Sequence, residues 1–409
     1  MQVRLEKSKI KSNSSVSITG SKSESNRLLL LKALYPEIEI ENLSNSDDSR
    51  LMELALDNTM DVIDIHHAGT AMRFLTAYFA TQYGREVIIT GSERMKERPI
   101  KVLVDALAEL GAEISYLEKN GCPPLQITGK EITNSTVSLK ANVSSQYITA
   151  LLLVAPKLKN GLLLELIGKI TSLPYINMTL GLLNQIGVKT SFEENQIEVI
   201  PLTEFKGEHV ITVESDWSSA SYFYSIVALS SIGTEIRLSA FKEHSLQGDS
   251  ILKDIYKDFG VQSHFEGNML VLKKVSDPNS NELTYDLKNA PDIAQTIAVS
   301  CLGLGLACYL TGLHTLKIKE TDRLSALKKE IKKCGGEVRI SKDSLRLKQC
   351  KSLLSNPLIE TYNDHRMAMA FAPLALRISI QINNAEVVSK SYPDFWDDLE
   401  AISMKMERA

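Results

Sequence analysis

A short polar segment followed at once by an apolar run recurs along this chain at almost constant spacing. The polar positions are Thr70, Ser144, Ser218, Asp292 and Asp364, which lie 74, 74, 74 and 72 residues apart. A polar residue before an apolar run is typical of a helix start, where free backbone N–H groups and the positive end of the helix dipole favour anions. The repeat therefore predicts α/β modules whose helix starts surround an anion-binding cleft.

A second repeat and a sixth copy complete the pattern. The sixth polar start, at Ser21, stands 49 residues before Thr70. Amphipathic segments that end in glycine and lead into strand-like residues alternate with the apolar runs, and glycine has the φ freedom that a C′ position requires. These glycines are Gly111, Gly187, Gly260 and Gly335. Each module thus contains a buried helix, a strand, an amphipathic helix and a further strand.

The repeat length also predicts the domains. Solenoid repeats run to about 20–50 residues, and this period is longer, so a few large modules grouped by threes into two lobes are expected. We place the N-terminal lobe at residues 21–213 and the C-terminal lobe at residues 214–409 together with residues 1–20. The chain would then cross between the lobes twice.

Charge and composition exclude several classes of function. The 409 residues carry 46 basic and 50 acidic side chains, a net charge of −4, so no general attraction to nucleic acid or to a membrane is expected. Residues 1–15 lack the apolar core of a signal peptide, and the five cysteines have no zinc-type spacing, which favours reduced thiols in the cytoplasm. The sequence contains no P-loop, dinucleotide-binding, HExxH or GxSxG motif.

Basic side chains recur at the predicted helix starts. The helix dipole disfavours a cation at that end, so the repeated cations indicate ligand anions that offset the cost, although any one alone is typical of a solvated surface. Arg binds carboxylate and phosphate bidentately, while Lys acts as a compact charge. The candidate cations are Lys22, Arg27, Arg94, Lys319, Arg323, Arg366 and Lys390.

Two carboxylates could take part in proton transfer in such a cationic cleft. Asp292 and Glu320 could share proton transfer, one accepting a proton from a hydroxyl and the other delivering one to carbon. The alternatives of a helix N-cap for Asp292 and an ion-pair partner for Glu320 stay open. His365 is open among a ligand donor, a core hydrogen-bonding group and an acid or base. Ser218 is expected only to cap its helix.

Neutral donors stand at another helix start. Ser144, Ser145 and Gln146 follow one another at the beginning of an apolar run. Hydroxyl groups and free backbone N–H groups at a helix start form a natural phosphate site. These three residues are therefore predicted to contact a phosphate group.

Specific strings carry a family resemblance. AGTAMR, RMKERP, KETDR and NDHRMAM are individually specific, and GSKSESNR, SSQYITALL, SLPYI, SSASYF and KSYPDFW extend the match over nearly the whole chain. In this order they resemble the 3-phosphoshikimate 1-carboxyvinyltransferase (EPSP synthase) family. The resemblance implies an α/β fold of two lobes, each with three βαβαββ units about a pseudo-threefold axis, and an active site in the interlobe cleft.

The same resemblance implies a reaction and its participants. The 5-hydroxyl of shikimate 3-phosphate would attack phosphoenolpyruvate, and the tetrahedral intermediate would then lose phosphate in an addition–elimination sequence. We expect a cytoplasmic monomer with these two small-molecule substrates, no metal and no organic cofactor. Closure of the lobes would exclude water from the intermediate.

Residue roles follow from the resemblance in the same way. Asp292 would accept a proton, Glu320 would donate one, and Lys22 would assist; Thr70 and His365 are further candidates. The implied ligands of shikimate 3-phosphate are Lys22, Ser23, Arg27, Ser144, Ser145, Gln146, Ser172, Tyr175, Asp292 and Lys319. Those of phosphoenolpyruvate are Lys22, Gly69, Arg94, Gln146, Arg323, Arg366 and Lys390.

Departures from the family and two alternatives remain. His67 and Thr315 stand where the family usually has Asn, and Phe74 where it has Pro. One alternative is UDP-N-acetylglucosamine 1-carboxyvinyltransferase, whose family carries Asn after the first lysine, whereas Ser23 follows that lysine here. The other is a non-catalytic anion-binding protein on the same scaffold, for which carboxylates in an anion pocket would be unfavourable.

Overall fold

The computed structural model describes residues 1–57, 59–140, 144–168, 170, 173–205, 207 and 209–409. The chain divides into two compact units. Unit N is Gly20–Val213, and unit C combines Met1–Thr19 with Glu214–Ala409. Each unit has a hydrophobic core of its own.

The strands are short, and most alternate buried with exposed residues, as expected for sheets with one face against a core. In chain order they are β1 Gln2–Leu5, β2 Ser14–Val16, β3 Glu39–Glu41, β4 Val62–Asp64, β5 Glu86–Thr90, β6 Glu113–Tyr116, β7 Leu125–Thr128, β8 Thr136–Lys140, β9 Leu162–Ile167, β10 Thr190–Glu193, β11 Gln196–Val199, β12 Val210–Thr212, β13 Glu235–Leu238, β14 Val261–Glu266, β15 Met269–Lys274, β16 Glu282–Asp286, β17 Ala307–Thr311, β18 Val338–Ile340, β19 Leu345–Leu347, β20 Leu358–Ile359, β21 Ile380–Asn383 and β22 Met406–Arg408.

The helices alternate with these strands. They are α1 Lys22–Leu34, α2 Asp47–Leu56, α3 Gly69–Ala80, α4 Glu93–Lys96, α5 Lys101–Leu110, α6 Ser145–Val154, α7 Leu173–Gln185, α8 Trp217–Leu229, α9 Leu252–Ile255, α10 Ala294–Leu304, α11 Arg323–Lys333, α12 His365–Phe371 and α13 Phe395–Ala401. Short 3₁₀ helices cover Ala155–Lys157, Gly248–Ile251, Pro291–Ile293, His314–Ile318, Ala372–Leu376 and Ala385–Lys390.

One strand arrangement recurs in both units. The sheets of unit N have the orders β4-β5-β7-β6, β10-β11-β9-β8 and β12-β3, and those of unit C have the orders β20-β21-β1-β22, β14-β15-β13-β2 and β16-β17-β19-β18. In the sheet β4-β5-β7-β6, the parallel strands β4 and β5 are connected by α3, and β6 and β7 form an antiparallel hairpin. The sheet that contains β16 and β17 repeats the pattern around α10. The predicted α/β class is confirmed.

The first and last strands of the chain are neighbours in unit C. β1 pairs antiparallel with both β21 and β22, and Val3 lies opposite Arg408. The backbone N–H of Gln2 donates to the carbonyl of Ala409 at 2.8 Å, and the reciprocal bond is also present. The sheet β20-β21-β1-β22 is therefore completed by residues from opposite ends of the sequence.

Buried and amphipathic helices occupy different positions in each unit. α8 is buried at every residue, and α3 and α6 are buried along most of their length and pack on each other. α11 instead buries Leu324, Leu327 and Ile331, which share one face at helical spacing. The inner helices thus begin with the polar residues of the first sequence repeat, and the amphipathic ones cover the sheets.

The glycine repeat is confirmed at helix ends, with one difference. Gly111 follows α5 with φ of 109°, and Gly335 follows α11 with φ of 92°. The helix expected before Gly260 is present only as the single turn of α9, which is continued by i→i+3 hydrogen bonds. Three-residue periodicity places Tyr256 and Phe259 on the same side, and their buried rings stack with centroids 4.7 Å apart.

In the part of the chain that the structure describes, no helix combines the length and the apolar character needed to cross a membrane.

Candidate functional site

Arg323, the first residue of α11, gathers three carboxylates in unit C. Its Nε donates to Asp364 Oδ2 at 2.6 Å, and its Nη1 donates to Asp292 Oδ1 at 2.8 Å. Its Nη2 donates to Glu320 Oε2 at 2.8 Å. Because Arg323 is only 1% exposed, water screens these charge-assisted bonds weakly. The two predicted proton-transfer residues, Asp292 and Glu320, therefore share one guanidinium group.

Local helix signals bring these side chains together. Asp364 is the N-cap of α12 and accepts a hydrogen bond from the backbone N–H of Arg366 at 2.9 Å. Asp322 caps α11 in the same way, and Asp292 lies in the 3₁₀ turn just before α10. The starts of α10, α11 and α12 thus meet at Arg323, so polar helix starts do converge within unit C.

Asp292 is surrounded by cations. Its Oδ1 lies 3.4 Å from Lys319 Nζ, and its Oδ2 lies 3.3 Å from Arg366 Nη2, in addition to the bond from Arg323. Burial by itself raises the pKa of this carboxyl, but the positive charges of Lys319, Arg366 and Arg323 outweigh burial and hold the pKa well below its usual range. Asp292 is therefore ionised, and it is a weak base while all three cations face it.

Arg366 has a donor left for a ligand. Its Nη2 also donates to Ser218 Oγ at 3.2 Å. Its Nε is buried and has no hydrogen-bond partner within the described part of the chain. Burial by itself lowers the pKa of this guanidinium, but the neighbouring Asp292 and other acidic groups raise it well above the usual value. A permanent cation with an unused buried N–H is suited to binding a carboxylate or a phosphate.

Two further predicted residues lie beside Asp364. His365 is 2% exposed, and its Nδ1 is 3.9 Å from Asp364 Oδ1. Lys390, the last residue of a 3₁₀ helix, donates from Nζ to the backbone carbonyl of Asn363 at 2.8 Å. Unit C therefore assembles Asp292, Lys319, Glu320, Arg323, His365, Arg366 and Lys390 on adjoining segments.

In unit N, the buried guanidinium of Arg27 is already bonded to protein groups. It donates to the hydroxyls of Thr179 at 2.9 Å and Thr149 at 3.4 Å, and to the carbonyls of Ser23 at 2.6 Å and Tyr175 at 3.4 Å. Burial lowers its pKa to about 10, so it remains charged. Arg27 thus links α1 to α6 and α7, and the half-buried Tyr175 is held by its backbone.

Lys22 faces a carboxylate that the sequence analysis did not identify. Its Nζ lies 3.3 Å from Asp48 Oδ2, and His67 Nε2 lies 3.8 Å from Asp48 Oδ1. Asp48 is placed by the start of α2, which Ser46 caps through a bond from the N–H of Ser49. The sequence signal was the SNSDDS run, which has the serine and acidic residues typical of a helix start.

The starts of α3 and α6 are joined through side chains. Ser144 caps α6 by accepting from the backbone N–H of Gln146, at the helix start that the sequence predicts. Gln146 Nε2 donates to Thr70 Oγ1 at 3.0 Å, and Ser145 is buried beside it. Neutral donors from two helix starts are therefore adjacent in unit N.

Gly69 lies against Arg98 of the basic segment that follows it, whereas the predicted Arg94 is exposed. A Cβ at Gly69 would clash with the guanidinium of Arg98, so the absence of a side chain is what lets Arg98 approach the start of α3. Arg94 is exposed and pairs with Glu97 at 2.7 Å. The structure therefore brings Arg98, and not Arg94, against Gly69.

The remaining sequence predictions concern Ser172 and two departures from the family, Phe74 and Thr315. Ser172 lies outside the described residues. Phe74 is fully buried, with the Arg27 guanidinium 5.6 Å from its ring centroid, which is a cation–π distance. Thr315 Oγ1 is buried and has no hydrogen-bond partner in the described chain. Among the described residues, no group of three or more His, Cys, Asp or Glu side chains is placed to hold a metal ion.

Ser218 does not have the capping role expected of it. Asp216 is the N-cap of α8 and accepts from the backbone N–H of Ser218. The Ser218 hydroxyl instead donates to the buried carboxylate of Asp249 and accepts from Arg366. Sequence reasoning missed this contact because Asp249 and Arg366 lie 31 and 148 residues away along the chain.

Comparisons with known proteins agree with the string matches. The sequence model of EPSP synthase (3-phosphoshikimate 1-carboxyvinyltransferase) matches residues 56–399. A 3-phosphoshikimate 1-carboxyvinyltransferase of Bacteroides fragilis is 47% identical over 395 residues, covering 94% of each chain. One from Vibrio vulnificus is 36% identical over 422 residues, covering 96% of this chain and 97% of the relative.

A solved structure shares the fold. The EPSP synthase from Acinetobacter baumannii superimposes with a TM-score of 0.81 at 20% identity, covering 99% of both chains. At that identity the likeness concerns the fold alone, whereas the sequence model and the relatives carry the assignment. The chain belongs to the EPSP synthase family.

Proposed function

We propose that this protein transfers the enolpyruvyl group of phosphoenolpyruvate to the 5-hydroxyl of shikimate 3-phosphate and releases phosphate. It is a transferase of the shikimate pathway, as its family and its named relatives indicate. The observation in the structure that carries the proposal is Asp292, an ionised carboxylate in contact with Lys319, Arg323 and Arg366. An anionic substrate could bind these cationic side chains in place of Asp292, and Asp292 could then act as a base.

Binding of the substrate anions would make Asp292 a stronger base. Phosphate or carboxylate groups of the substrates would bind Lys319 and Arg366, and part of the positive charge that depresses the pKa of Asp292 would then be neutralised. Its pKa would rise towards the usual carboxyl range, which strengthens it as a base. A carboxylate that is inert without ligands would therefore accept protons only when both substrates are bound.

The reaction would proceed by addition and then elimination. The 5-hydroxyl oxygen attacks C2 of phosphoenolpyruvate, Asp292 takes the hydroxyl proton, and Glu320 delivers a proton to C3. The tetrahedral intermediate then loses phosphate from C2, which takes the proton held by Asp292, and a proton from C3, which returns to the Glu320 carboxylate; this leaves the enolpyruvyl ether. Lys22 assists by stabilising negative charge on the transferred group. The phosphoenolpyruvate ligands in this proposal are Lys22, Gly69, Arg94, Gln146, Arg323, Arg366 and Lys390.

Shikimate 3-phosphate is assigned mainly to unit N. The proposed contacts are Lys22, Ser23, Arg27, Ser144, Ser145, Gln146, Ser172 and Tyr175, with Asp292 and Lys319 from unit C. The joined starts of α3 and α6 offer neutral N–H and hydroxyl donors to the phosphate. Because Arg27 already binds protein groups, we assign it the role of placing Ser23 and Tyr175 as well as contributing charge. The interlobe cleft is part of this proposal.

Cytoplasmic location and a monomeric state belong to the same proposal. The five cysteines are all described, and each is buried and free of disulfide bonds, which supports a reducing compartment. The alternative substrate UDP-N-acetylglucosamine is not favoured, because the matching sequence model and the relatives carry the shikimate name.

Phosphate release tests the activity directly. Purified protein with both substrates should release phosphate, and replacing shikimate 3-phosphate with UDP-N-acetylglucosamine should abolish release. Asp292→Asn should lower kcat by about 10²–10⁴-fold, the range for a proton-transfer group. The matched control is Asp286→Asn, an exposed aspartate of unit C that pairs with Lys288, and it should leave kcat unchanged. Release only with the UDP sugar would overturn the assignment.

A further inference from the structure

The hydroxyl of Ser218 joins two charged groups that do not contact each other directly. Ser218 Oγ donates to Asp249 Oδ2 and accepts from Arg366 Nη2 at 3.2 Å. A serine hydroxyl has one proton. When that proton points at Asp249, only oxygen lone pairs face Arg366, which is the orientation a guanidinium needs in its partner.

The carboxyl group of Asp249 is buried in unit C, where a charge is costly. It is 5% exposed, it lies in the 3₁₀ helix Gly248–Ile251, and its Oδ1 has no hydrogen-bond partner among the described residues. The charged groups that face it are Asp292, Arg366 and Asp216. Burial, with Asp292 adding to it, raises the pKa of Asp249 to about 6. Keeping a carboxylate there costs stability, so a role in unit C is expected.

We propose that Asp249 is a positioning residue for Arg366 and acts through the Ser218 hydroxyl. Ionised Asp249 keeps the Ser218 proton turned away from Arg366. The guanidinium Nη2 is then held between Ser218 Oγ, at 3.2 Å, and Asp292 Oδ2, at 3.3 Å. This arrangement leaves Nε of Arg366 for the substrate anion. The inference deepens the proposed function and rests on Arg366 as a phosphoenolpyruvate ligand.

Protonation of Asp249 would reverse the hydrogen bond. A neutral carboxyl can donate its proton to Ser218 Oγ, and the serine proton would then turn towards Arg366 and repel it. Arg366 would lose its fixed position, and binding of phosphoenolpyruvate would weaken. This predicts that the KM for phosphoenolpyruvate rises as the pH falls through the region near 6 where Asp249 titrates.

Steady-state kinetics of three variants test the proposal. Ser218→Ala and Asp249→Asn should each raise the KM for phosphoenolpyruvate about tenfold at pH 7.5, with kcat changed less than threefold, because binding that is equal in the ground and transition states affects KM alone. The matched control is Ser221→Ala, one turn further along α8, whose buried hydroxyl bonds to the Ser218 carbonyl and to Thr296. It should leave both constants within twofold of the parent.

The pH profile and the double variant separate positioning from a merely structural role. The ratio of KM in Asp249→Asn to KM in the parent cancels the titration of the substrate, and it should fall towards one between pH 7.5 and pH 5. The double variant Ser218→Ala with Asp249→Asn should be no worse than the poorer single variant, since both remove the same contact. A KM ratio that does not change with pH, or effects that multiply in the double variant, would overturn the inference.

The activity of the parent protein distinguishes a failure of the positioning role from a failure of the proposed function. If it releases phosphate from both substrates while Ser218→Ala and Asp249→Asn keep the parental KM, only the positioning role is wrong. If the parent releases none, the proposed function itself fails. Calorimetric titration of phosphoenolpyruvate into the parent and variants in the presence of shikimate 3-phosphate then still decides whether Ser218 and Asp249 affect binding.

Discussion

Replacing Arg323 by methionine should strongly destabilise unit C. The substitution keeps an unbranched side chain but leaves Asp364, Asp292 and Glu320 without their guanidinium, and these side chains are 0%, 13% and 28% exposed. Removing one partner of a buried ion pair typically costs about 3–5 kcal/mol. Asp364 accounts for most of this loss, because Asp292 keeps Lys319 and Arg366 as partners and Glu320 can reach water.

Thermal unfolding followed by circular dichroism measures the effect. A destabilisation of 1 kcal/mol lowers the melting temperature by about 2–4 °C in domains of 150–250 residues, so Arg323→Met should lower the transition of unit C by roughly 6–20 °C. The control is Arg346→Met, because Arg346 pairs with Glu282 at 3.2 Å with both side chains more than half exposed. Surface pairs contribute at most about 1 kcal/mol, and this control should melt within about 4 °C of the parent.

The pH dependence provides a second measurement of the same network. The pKa of Asp292 is depressed in the folded protein, so its stabilisation is present above its unfolded pKa and is lost only as the pH falls through the much lower folded value. Without Arg323 less positive charge faces Asp292, so the pKa of this carboxyl is depressed less than in the parent and acid removes less stabilisation from the variant. The gap between Arg323→Met and the parent should therefore narrow from pH 7 to pH 4. A melting temperature within 2 °C of the parent at pH 7, or a gap that widens in acid, would refute this reasoning.

Two further predictions concern unit N. Asp48→Asn removes the charge that faces Lys22 at 3.3 Å. We expect kcat/KM for phosphoenolpyruvate to fall about tenfold, equivalent to ~1.4 kcal/mol, with the melting temperature nearly unchanged. The control Asp105→Asn removes an exposed partner of Lys101 and should change neither quantity. Gly69→Ala places a Cβ against the Arg98 guanidinium, the far end of a flexible side chain that can move aside, so the melting temperature should stay within about 2 °C of the parent; a larger loss that Arg98→Ala does not relieve would mean that a fixed neighbour, and not Arg98, is the obstacle.

Local signals account for what the sequence could predict. Ser144 and Asp364 are N-caps because a short polar side chain reaches an N–H only two residues ahead. Gly111 ends its helix because glycine adopts positive φ without strain. The α/β class follows from such signals, since alternating helices and strands with this spacing leave few architectures.

Partners that are distant in the sequence account for what could not be predicted. The role of Ser218 depends on Asp249 and Arg366, and nothing in the residues around Ser218 identifies either one. Asp48 is a comparable case, because its contact with Lys22 arises only when α1 and α2 pack together. The sequence resemblance supplied candidate ligands residue by residue, but the shared guanidinium of Arg323 is a property of the packing of three helix starts.

The pairing of β1 with β22 means that the order of the chain could be rearranged without changing the sheets. A short linker from Ala409 to Met1 would join neighbouring strands, and a new start at Glu214 would make unit C one continuous polypeptide, followed by an uninterrupted unit N. Such a circular permutant would allow each unit to be expressed as one continuous segment, and circular dichroism would show whether that segment folds alone. For a unit that does fold alone, titration with either substrate would measure the binding contribution of that half separately.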